Sequence, residues 1–354
     1  MSKCTAVVNL LRNRIAQGDY ALTDFPAERQ LALETGVCYM TARRAVKELL
    51  RDGWIVRRPN GRLDINRIKK RAGKLPPRQI ALLAPTFNSP NIETWRMALD
   101  RQVRARGWSV RPVLYVHWDD PLLLDALRGF AATFLLTVSG TVPPRVMEQL
   151  RNTARLVVVD ADWSADGFVS VQLFPPVFVQ RLLDHFASLG HARIGCLNTQ
   201  PHDAVILERI GQWRNWSDAR GLSAPLWNKP VPVQTTPFQA AYEAVRRAIK
   251  AKKFDITAVL CTTAPAAVGA MRAMYEHGIQ PGRDVALGVV NGEGYAQVLT
   301  PSVTALEPCD PSPYIETCLT WIDAVDSPWR GPLLLQPQAV PLVVRETSCK
   351  VRSR

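Results

Sequence analysis

Short apolar strands alternate with amphipathic helices from residue 79 to about residue 290. This alternation is typical of parallel sheets covered by helices, in which ligands bind beyond the carboxyl ends of the strands. The predicted strands span residues 80–84, 109–113, 133–138, 156–159, 193–197, 231–233, 258–261 and 285–290. The predicted helices span residues 92–106, 122–128, 142–152, 177–189, 204–219, 238–250 and 264–276.

These elements predict an α/β body over residues 79–348 with parallel sheets and two lobes around a cleft. We place the N-lobe at about residues 79–173 and 307–330. The C-lobe then takes about residues 174–304 and 331–348.

Most of the net charge of +13 lies in the first fifth of the chain. Residues 1–78 contain 17 Lys and Arg against 7 Asp and Glu, a balance of +10, whereas residues 79–354 contain 27 against 24, a balance of +3. This distribution is typical of a small module for a polyanion joined to a nearly neutral body.

The basic segment predicts three helices followed by a hairpin. Apolar residues recur at helical spacing over residues 5–17, 27–35 and 41–50, and glycines end the first two runs. Asn60-Gly61 lies between two short strand-like runs, which is a strong hairpin signal. The sequence therefore predicts an α+β winged helix-turn-helix head at residues 1–66.

In such a head, the second helix of the pair enters the major groove and the wing lies against the backbone or the minor groove. We expect Tyr39, Met40, Thr41 and Arg43 to reach base edges. We expect phosphate contacts from Arg29, Arg57, Arg58 and Arg62, with Asn60 at the tip of the wing. The competing interpretation, a solvated charged helix face, is disfavoured because the charges coincide with a turn and a hairpin.

Four segments resemble the GntR-type winged helix: FPAERQLA at 25–32, GV at 36–37, TARRA at 41–45 and LLRDGWI at 49–55. The resemblance implies DNA contact through Arg29, Thr41 and Arg43 and through the wing at Asn60 and Gly61. Cys38 stands where Ser or Thr normally caps the recognition helix, and Tyr39 stands where Arg is frequent. A Ser-type cap contributes about 1 kcal/mol, so we expect a weaker helix start and a base preference that differs from that of relatives.

The sequence of residues 67–78 predicts a linker between the head and the body. The segment is polar and basic and ends with Pro76-Pro77, which makes it semi-rigid. We expect its cations to touch DNA as well.

Six segments of the body are similar to LacI-type sugar-responsive regulators. They are LGHARIG at 189–195, TAVLC at 257–261, GAMR at 269–272, the run 278–290, LTPSVT at 299–304 and LVVRETS at 342–348. The resemblance implies a periplasmic-binding-protein-type fold, in which the chain crosses more than once between the lobes. It also implies a dimer and no catalytic role.

Carried over by position, the resemblance implies effector contacts at Phe87, Asn88, Asp160, Arg209, Thr263 and Asn291. Asp160 and Asn291 each follow a predicted strand, where a cleft residue belongs. Carboxylate, guanidinium and amide groups can bind hydroxyls or an acid group. Trp163, Trp213 and Tyr295 either stack on a sugar face or pack in the core.

Two positions depart from the pattern of the relatives. Thr263-Ala264 stands where they commonly carry Asn-Asp, and Asn291-Gly292-Glu293 stands where they carry paired Asp. Two acceptors for sugar hydroxyls are therefore missing or moved. A sugar or a sugar derivative remains the expected effector.

The sequence contains no motif for catalysis, and we expect no cofactor and no metal. Its seven cysteines are scattered, odd in number and never spaced as C-x-x-C, which favours a reduced cytoplasmic protein. No apolar run is long enough for a membrane span.

The leading hypothesis is a dimeric transcription regulator, a repressor, that binds a palindromic double-stranded DNA operator under the control of a small molecule. One alternative is a GntR-type head on an aminotransferase-like enzyme body, which would need a Schiff-base lysine among Lys229, Lys250, Lys252, Lys253 and Lys350. A second alternative is a regulator whose cleft is degenerate and needs no ligand.

Overall fold

The computed structural model describes residues 3–17, 19–20, 24–66, 78–86, 89–232, 235–324 and 333–351. Within these ranges the chain forms a helical head with a small hairpin, followed by two six-stranded sheets that helices cover. The predicted linker lies almost wholly in residues 67–77, outside the described residues.

The head contains three helices and a wing. Its elements are α1 (Lys3–Gln17), α2 (Glu28–Thr35), α3 (Tyr39–Arg51), β1 (Ile55–Arg57) and β2 (Leu63–Ile65). The two strands pair antiparallel, and one apolar side chain from each helix, Leu11, Leu31 and Leu49, is fully buried between the helices. Because α3 buries only one stripe, its other face remains in solvent, and the predicted winged helix-turn-helix is confirmed.

The N-lobe is a parallel sheet in the order β13-β7-β6-β5-β3-β4. Buried Val and Leu runs such as residues 156–159 explain why its central strands are apolar on both faces. Its elements are β3 (Gln79–Pro85), α4 (Pro90–Ala105), β4 (Ser109–Tyr115), α5 (Pro121–Gly129), β5 (Ala132–Leu136), α6 (Pro144–Arg151), β6 (Leu156–Val159), β7 (Val169–Val171), α11 (Ser312–Asp323) and β13 (Leu333–Leu335).

The C-lobe sheet has the order β14-β12-β11-β10-β8-β9, and only β14 runs antiparallel to its neighbour. Its elements are α7 (Val179–Ser188), β8 (Ile194–Asn198), α8 (Ala204–Asp218), β9 (Leu226–Asn228), α9 (Pro237–Lys250), β10 (Ala258–Cys261), α10 (Ala264–Glu276), β11 (Ala286–Val290), β12 (Thr304–Leu306) and β14 (Leu342–Val343).

The chain passes between the lobes three times: after β7, after β12, and between β13 and β14. The third crossing corrects the sequence prediction, which assigned residues 331–348 to the C-lobe. Leu333 pairs with Val169 of β7, so β13 belongs to the N-lobe sheet. The error arose because β7, the partner of this short strand, was itself not predicted.

The strand predicted at residues 231–233 is also wrong for residues 231–232, which lie in no strand, while residue 233 lies outside the described residues. The strand of this region is β9, and Leu226 pairs with Cys196 of β8. Pro230 and Pro232 flank Val231 and lack the N–H groups that a ladder needs. In β9, by contrast, the indole of Trp227 stacks on Phe254 at a centroid distance of 5.3 Å.

Candidate nucleic-acid interface and binding cleft

The exposed face of α3 presents Met40, Arg43, Arg44 and Lys47. Their spacing of three or four residues places them on one side of the helix. The three cations make neither an ion pair nor a hydrogen bond with other side chains of the described residues. Three unpaired cations on one helix face are suited to a polyanion, and Arg44 had not been singled out from the sequence.

Side-chain contacts fix the start of α3. Cys38 precedes the helix, and its Sγ lies 3.2 Å from Thr41 Oγ1, a contact that lowers the pKa of the thiol. The Tyr39 hydroxyl donates to Glu28 Oε2 of α2 at 2.9 Å. Tyr39 is therefore held between the two helices while its ring remains partly exposed.

The wing closes through a turn that needs glycine at Gly61, whose φ is +80°. The Arg58 amide donates to the Arg62 carbonyl at 2.8 Å, and Asn60 Oδ1 accepts from the Arg62 amide at 3.1 Å. These bonds place Asn60 at the tip of the hairpin.

The three wing arginines all have carboxylate partners. Arg57 lies 3.5 Å from Glu28, Arg62 lies 3.5 Å from Asp24, and Arg58 Nε donates to Asp64 at 2.9 Å. If any of these arginines contacts a DNA phosphate, it must therefore give up its carboxylate partner. Arg29 is exposed and makes no ion pair within the described ranges.

A cleft of about 380 Å³ lies between the carboxyl ends of the strands of the two lobes. Four charged side chains of the described residues line it: Asp160 from the N-lobe and Asp203, Arg209 and Glu293 from the C-lobe. A volume in this range is typical of a small-molecule site.

Asp160 directly follows β6 with a φ of +63°. Its amide donates to the Val171 carbonyl at 2.7 Å, and its Oδ2 accepts from Asn91 Nδ2 at 2.6 Å. Burial raises the pKa of this carboxyl to about 6, against the opposing effect of Arg209 across the cleft.

Arg209 is 6 % exposed on α8, and its Nη1 donates to the Thr262 carbonyl at 2.9 Å. Its buried Nε has no hydrogen-bond partner among the described residues. Burial lowers the pKa of the guanidinium, while the fields of Asp160, Asp203 and Glu293 raise it. None of these carboxylates forms an ion pair with Arg209 in the described structure.

The other C-lobe residues of the cleft lie at strand and helix ends. Asn291 follows β11, and its Oδ1 accepts from the Glu293 amide at 3.1 Å. Glu293 Oε2 is buried without a partner in the described structure, and burial raises the pKa of this carboxyl to about 7. Asp203 caps α8 by accepting from the Ile206 amide at 2.8 Å, and Thr263 precedes α10 and accepts from Gln200 at 3.3 Å.

The aromatic candidates divide between cleft and core. Tyr295 lines the cleft together with Phe238, and each is 38 % exposed. Trp163 packs between Trp118 and Phe168 at centroid distances of 5.6 and 5.8 Å. Trp213 is buried, and its Nε1 donates to the Ile194 carbonyl at 2.8 Å, so the two tryptophans are core residues.

Two families match the sequence. Residues 3–65 match the family described as bacterial regulatory proteins, gntR family, and residues 183–325 match the periplasmic binding protein-like domain. Residues 3–65 therefore form a head of the gntR family of bacterial regulatory proteins, and the body contains a periplasmic binding protein-like domain. We refer to the chain as the regulator. No curated protein matches the regulator significantly.

Solved structures share the fold of the regulator's body. The lac repressor dimer bound to operator and the anti-inducer ONPF has a TM-score of 0.64 at 17 % identity and covers 78 % of this chain and 96 % of that chain. A LacI family regulator, CCPA, from Weissella paramesenteroides with bound sucrose has a TM-score of 0.64 at 14 % identity, and the match covers 78 % of this chain and 100 % of that chain. A LacI regulator from a Rhodococcus species has a TM-score of 0.65 at 17 % identity, and the match covers 77 % of this chain and 99 % of that chain. At these identities the likeness shows the fold alone.

These findings exclude the enzyme alternative, since the families are those of transcription regulators. None of the five lysines considered for a Schiff base lines the cleft in the described part of the chain. No disulfide joins any of the seven cysteines, all of which lie within the described residues. Within the described ranges, no helix is long and apolar enough to cross a bilayer, and no group of three or more His, Cys, Asp or Glu side chains could hold a metal.

The regulator's cleft brings together four of the six effector positions that the resemblance implied: Asp160, Arg209, Thr263 and Asn291. Phe87 and Asn88 lie outside the described residues. The sequence interpretation gave no role to Asn91 or Asp203, although each carries a local signal. Asp203 directly precedes a predicted helix, as a capping residue does, and Asn91 follows Ser89-Pro90, a typical helix start.

Proposed function

We propose that the regulator is a dimeric, cytoplasmic repressor whose operator affinity is set by a sugar or sugar derivative bound between the lobes. The observation that carries this proposal is the cleft itself. It holds the Arg209 guanidinium, whose Nε has no partner among the described residues, and the Glu293 carboxylate, whose Oε2 likewise has none, and both atoms are buried. Buried polar atoms without partners are costly, so a ligand that satisfies them is favoured.

The two lobes supply different parts of this cleft, which gives a ligand a way to bias their arrangement. Asp160 and Asn91 belong to the N-lobe, and Arg209 and Glu293 belong to the C-lobe. A ligand that contacts both sides binds the closed arrangement more tightly than the open one. Such differential binding is the physical requirement for allosteric control, with couplings of typically about 1–3 kcal/mol.

We expect a dimer and a palindromic operator from the way in which a recognition helix binds DNA. One recognition helix covers one half-site, and two heads related by a twofold axis read two half-sites of opposite direction. The lac repressor, which shares the fold of the body, is a dimer bound to operator. We expect sedimentation of the full chain to give twice the chain mass of 39.4 kDa.

The effector proposal is tested with Asp160→Ala. An operator is first selected from random duplexes with the full chain, and its affinity is then measured by fluorescence anisotropy across a panel of sugars, polyols and sugar derivatives. We expect a compound that changes operator affinity and raises the melting temperature of the wild type, and we expect Asp160→Ala to lose both responses because it removes the only N-lobe charge described in the cleft.

The matched control for this variant is Asp162→Ala, since Asp162 is exposed two residues further on and does not line the cleft. A full response in Asp160→Ala removes Asp160 from the site. A panel without any response in the wild type favours the degenerate cleft.

DNA reading is tested with Arg43→Ala on the exposed face of α3. Because Arg43 is unpaired and near the start of the recognition helix, we expect the variant to lose about 1–3 kcal/mol on operator DNA and less on random DNA. Arg58→Ala on the wing should weaken binding to both DNAs alike, because we assign Arg58 to phosphate contact. Equal losses on the two DNAs for Arg43→Ala would contradict its role in base recognition.

A further inference from the structure

The charges of the cleft do not balance. Among the described residues that line it, Asp160, Asp203 and Glu293 face one cation, Arg209. The chain as a whole carries +13 and the body +3, so this acidic site stands against the charge of its surroundings. An acidic site inside a basic protein favours a ligand with a positive charge of its own.

The unpartnered atoms indicate which groups the ligand carries. Glu293 Oε2 is an acceptor and needs a donor from the ligand, whereas Arg209 Nε is a donor and needs an acceptor. A hydroxyl can satisfy either atom, but an ammonium satisfies Glu293 and also offsets the excess negative charge. A carboxylate on the ligand would suit Arg209 and would be repelled by the three acidic side chains.

Two aromatic residues that line the cleft also suit a cation. Tyr295, two residues after Glu293, and Phe238 each present a partly exposed ring to the cleft. Aromatic faces attract cations, and the interaction strengthens in a desolvated site. The remaining polar lining consists of amides and hydroxyls such as Asn91, Gln200 and Thr263, which bind hydroxyl groups.

We propose that the effector bears a protonated amine on a hydroxylated skeleton, in the manner of an amino sugar or an amino polyol, with the ammonium at Glu293 and Asp160 and an oxygen at Arg209. This inference rests on the proposed function, because it names the ligand class of the same cleft. The acceptors that the hydroxyls of a neutral sugar would need are missing from their expected positions. A charged amine can bind Glu293 instead.

The titration of the cleft supports the same ligand class. Burial raises the pKa of Glu293 to about 7 and that of Asp160 to about 6, while Arg209 lowers both. The pKa of Asp160 is also lowered by its hydrogen bond from Asn91 and raised by Asp203. On the neighbouring helix face, desolvation raises the pKa of Glu208, and Asp162 and Asp203 raise it further. At pH 6.5 to 7 an arriving ammonium therefore displaces protons from these carboxyls, and binding should release protons into the buffer.

The test uses compound pairs that differ in one group. D-glucosamine is compared with D-glucose, D-galactosamine with D-galactose, and D-glucuronate serves as the acidic compound. Thermal shift identifies binders of the full chain, and titration calorimetry in buffers of different ionisation enthalpy counts the protons released. We expect an amine of such a pair to bind about tenfold or more tightly than its neutral parent and to release protons.

Glu293→Gln and Glu208→Gln form the matched variants, because each replaces one carboxyl group with an amide and Glu208 does not line the cleft. We expect Glu293→Gln to weaken the amine about tenfold and to narrow the difference between amine and neutral parent. Glu208→Gln should keep the wild-type difference, and Asp160→Asn provides a second cleft variant if Glu293→Gln folds poorly.

The outcomes separate the two proposals. Neutral sugars or glucuronate that bind while the amines do not, or an amine preference that survives both cleft variants, overturn the inference and leave ligand control intact. A wild-type protein that none of these or the wider sugar panel stabilises contradicts the effector proposal, and the amine inference falls with it.

Discussion

Three residues of the cleft hold a backbone conformation that side chains other than glycine rarely adopt. Asp160, Asn291 and Glu293 have φ values of +63°, +66° and +51°, and they are three of the five non-glycine residues with positive φ in the described structure. This conformation costs of order 1–3 kcal/mol per residue and persists where the surrounding structure requires it. The sequence indicated that strands end near these positions. Asn and Asp are enriched in this conformation but Glu is not, so the positive φ of Glu293 was not predictable.

The protonation of Glu293 links the cleft to stability. Its pKa is about 7 in the folded state against an ordinary value of 4.5, so the folded protein binds this proton more tightly than the unfolded chain. The favourable contribution of the protonated group is fully present below about pH 4.5 and is lost as the pH rises through about 7. We therefore expect Glu293→Gln to gain stability relative to the wild type between these two pH values.

The measurement is the difference in melting temperature between Glu293→Gln and the wild type, taken at pH 4.5, 5.5, 6.5 and 7.5 without ligand. Groups that do not interact with Glu293 titrate equally in the two proteins and cancel in the difference. A difference that is constant with pH, or that moves in favour of the wild type as the pH rises, contradicts a raised pKa at Glu293.

Helices and buried strands were largely predictable, because their periodicity and their capping residues are local. The helix predicted at residues 264–276 matches α10, and the strand predicted at residues 156–159 matches β6. The short strands β7 and β13 carry three residues each and take their identity from long-range partners, which no local pattern shows. For the same reason the sequence located Asp160 and Asn291 at strand ends but could not show that Asn91 and Asp160 contact each other across 69 residues.

The packing of α9 against α10 depends on a single missing side chain. A Cβ on Gly269 of α10 would lie 2.2 Å from the Phe238 carbonyl and 2.7 Å from Ala241 Cβ. We expect Gly269→Ala to push the helices apart and to destabilise the protein by about 1–3 kcal/mol, the usual cost of overpacking. Phe238 also lines the cleft, so the change should reach the ligand site.

The control for this substitution is Gly211→Ala on α8. Apart from the nearby backbone of α8 itself, no atom of the described residues lies within 4 Å of a Cβ at Gly211. Gly in a helix is about 0.5–1 kcal/mol less favourable than Ala, so this variant should gain stability. Chemical denaturation of the two variants should therefore give shifts of opposite sign. Shifts of the same sign would show that helix propensity, and not the close approach at Gly269, decides the outcome.

Charge divides the molecule into a part that meets DNA and a part that responds to a ligand. The head and linker hold +10 of the net charge, and the body holds +3. Yet the structure pairs the wing arginines with carboxylates, so the cations without an ion pair in α2, α3 and the wing, as far as these are described, are Arg29, Arg43, Arg44 and Lys47. Net charge alone identified the head but could not show which of its cations are available.

The salt dependence of DNA binding distinguishes available from paired cations. Each phosphate that a free cation neutralises releases a counterion and contributes about −0.9 to the slope of log affinity against log salt. Arg44→Ala should therefore make the slope shallower by about 0.9 for each head that touches DNA. Arg62→Ala should change the slope less, because Asp24 loses its partner when Arg62 turns to a phosphate.

The control is Arg145→Ala, because Arg145 is an exposed arginine on α6 of the body, and this variant should leave the slope unchanged. Anisotropy titrations of the full chain over a series of salt concentrations measure these slopes. Equal changes in slope for Arg44→Ala and Arg62→Ala would mean that the ion pairs of the wing break completely on DNA. The wing arginines would then contribute as free cations do.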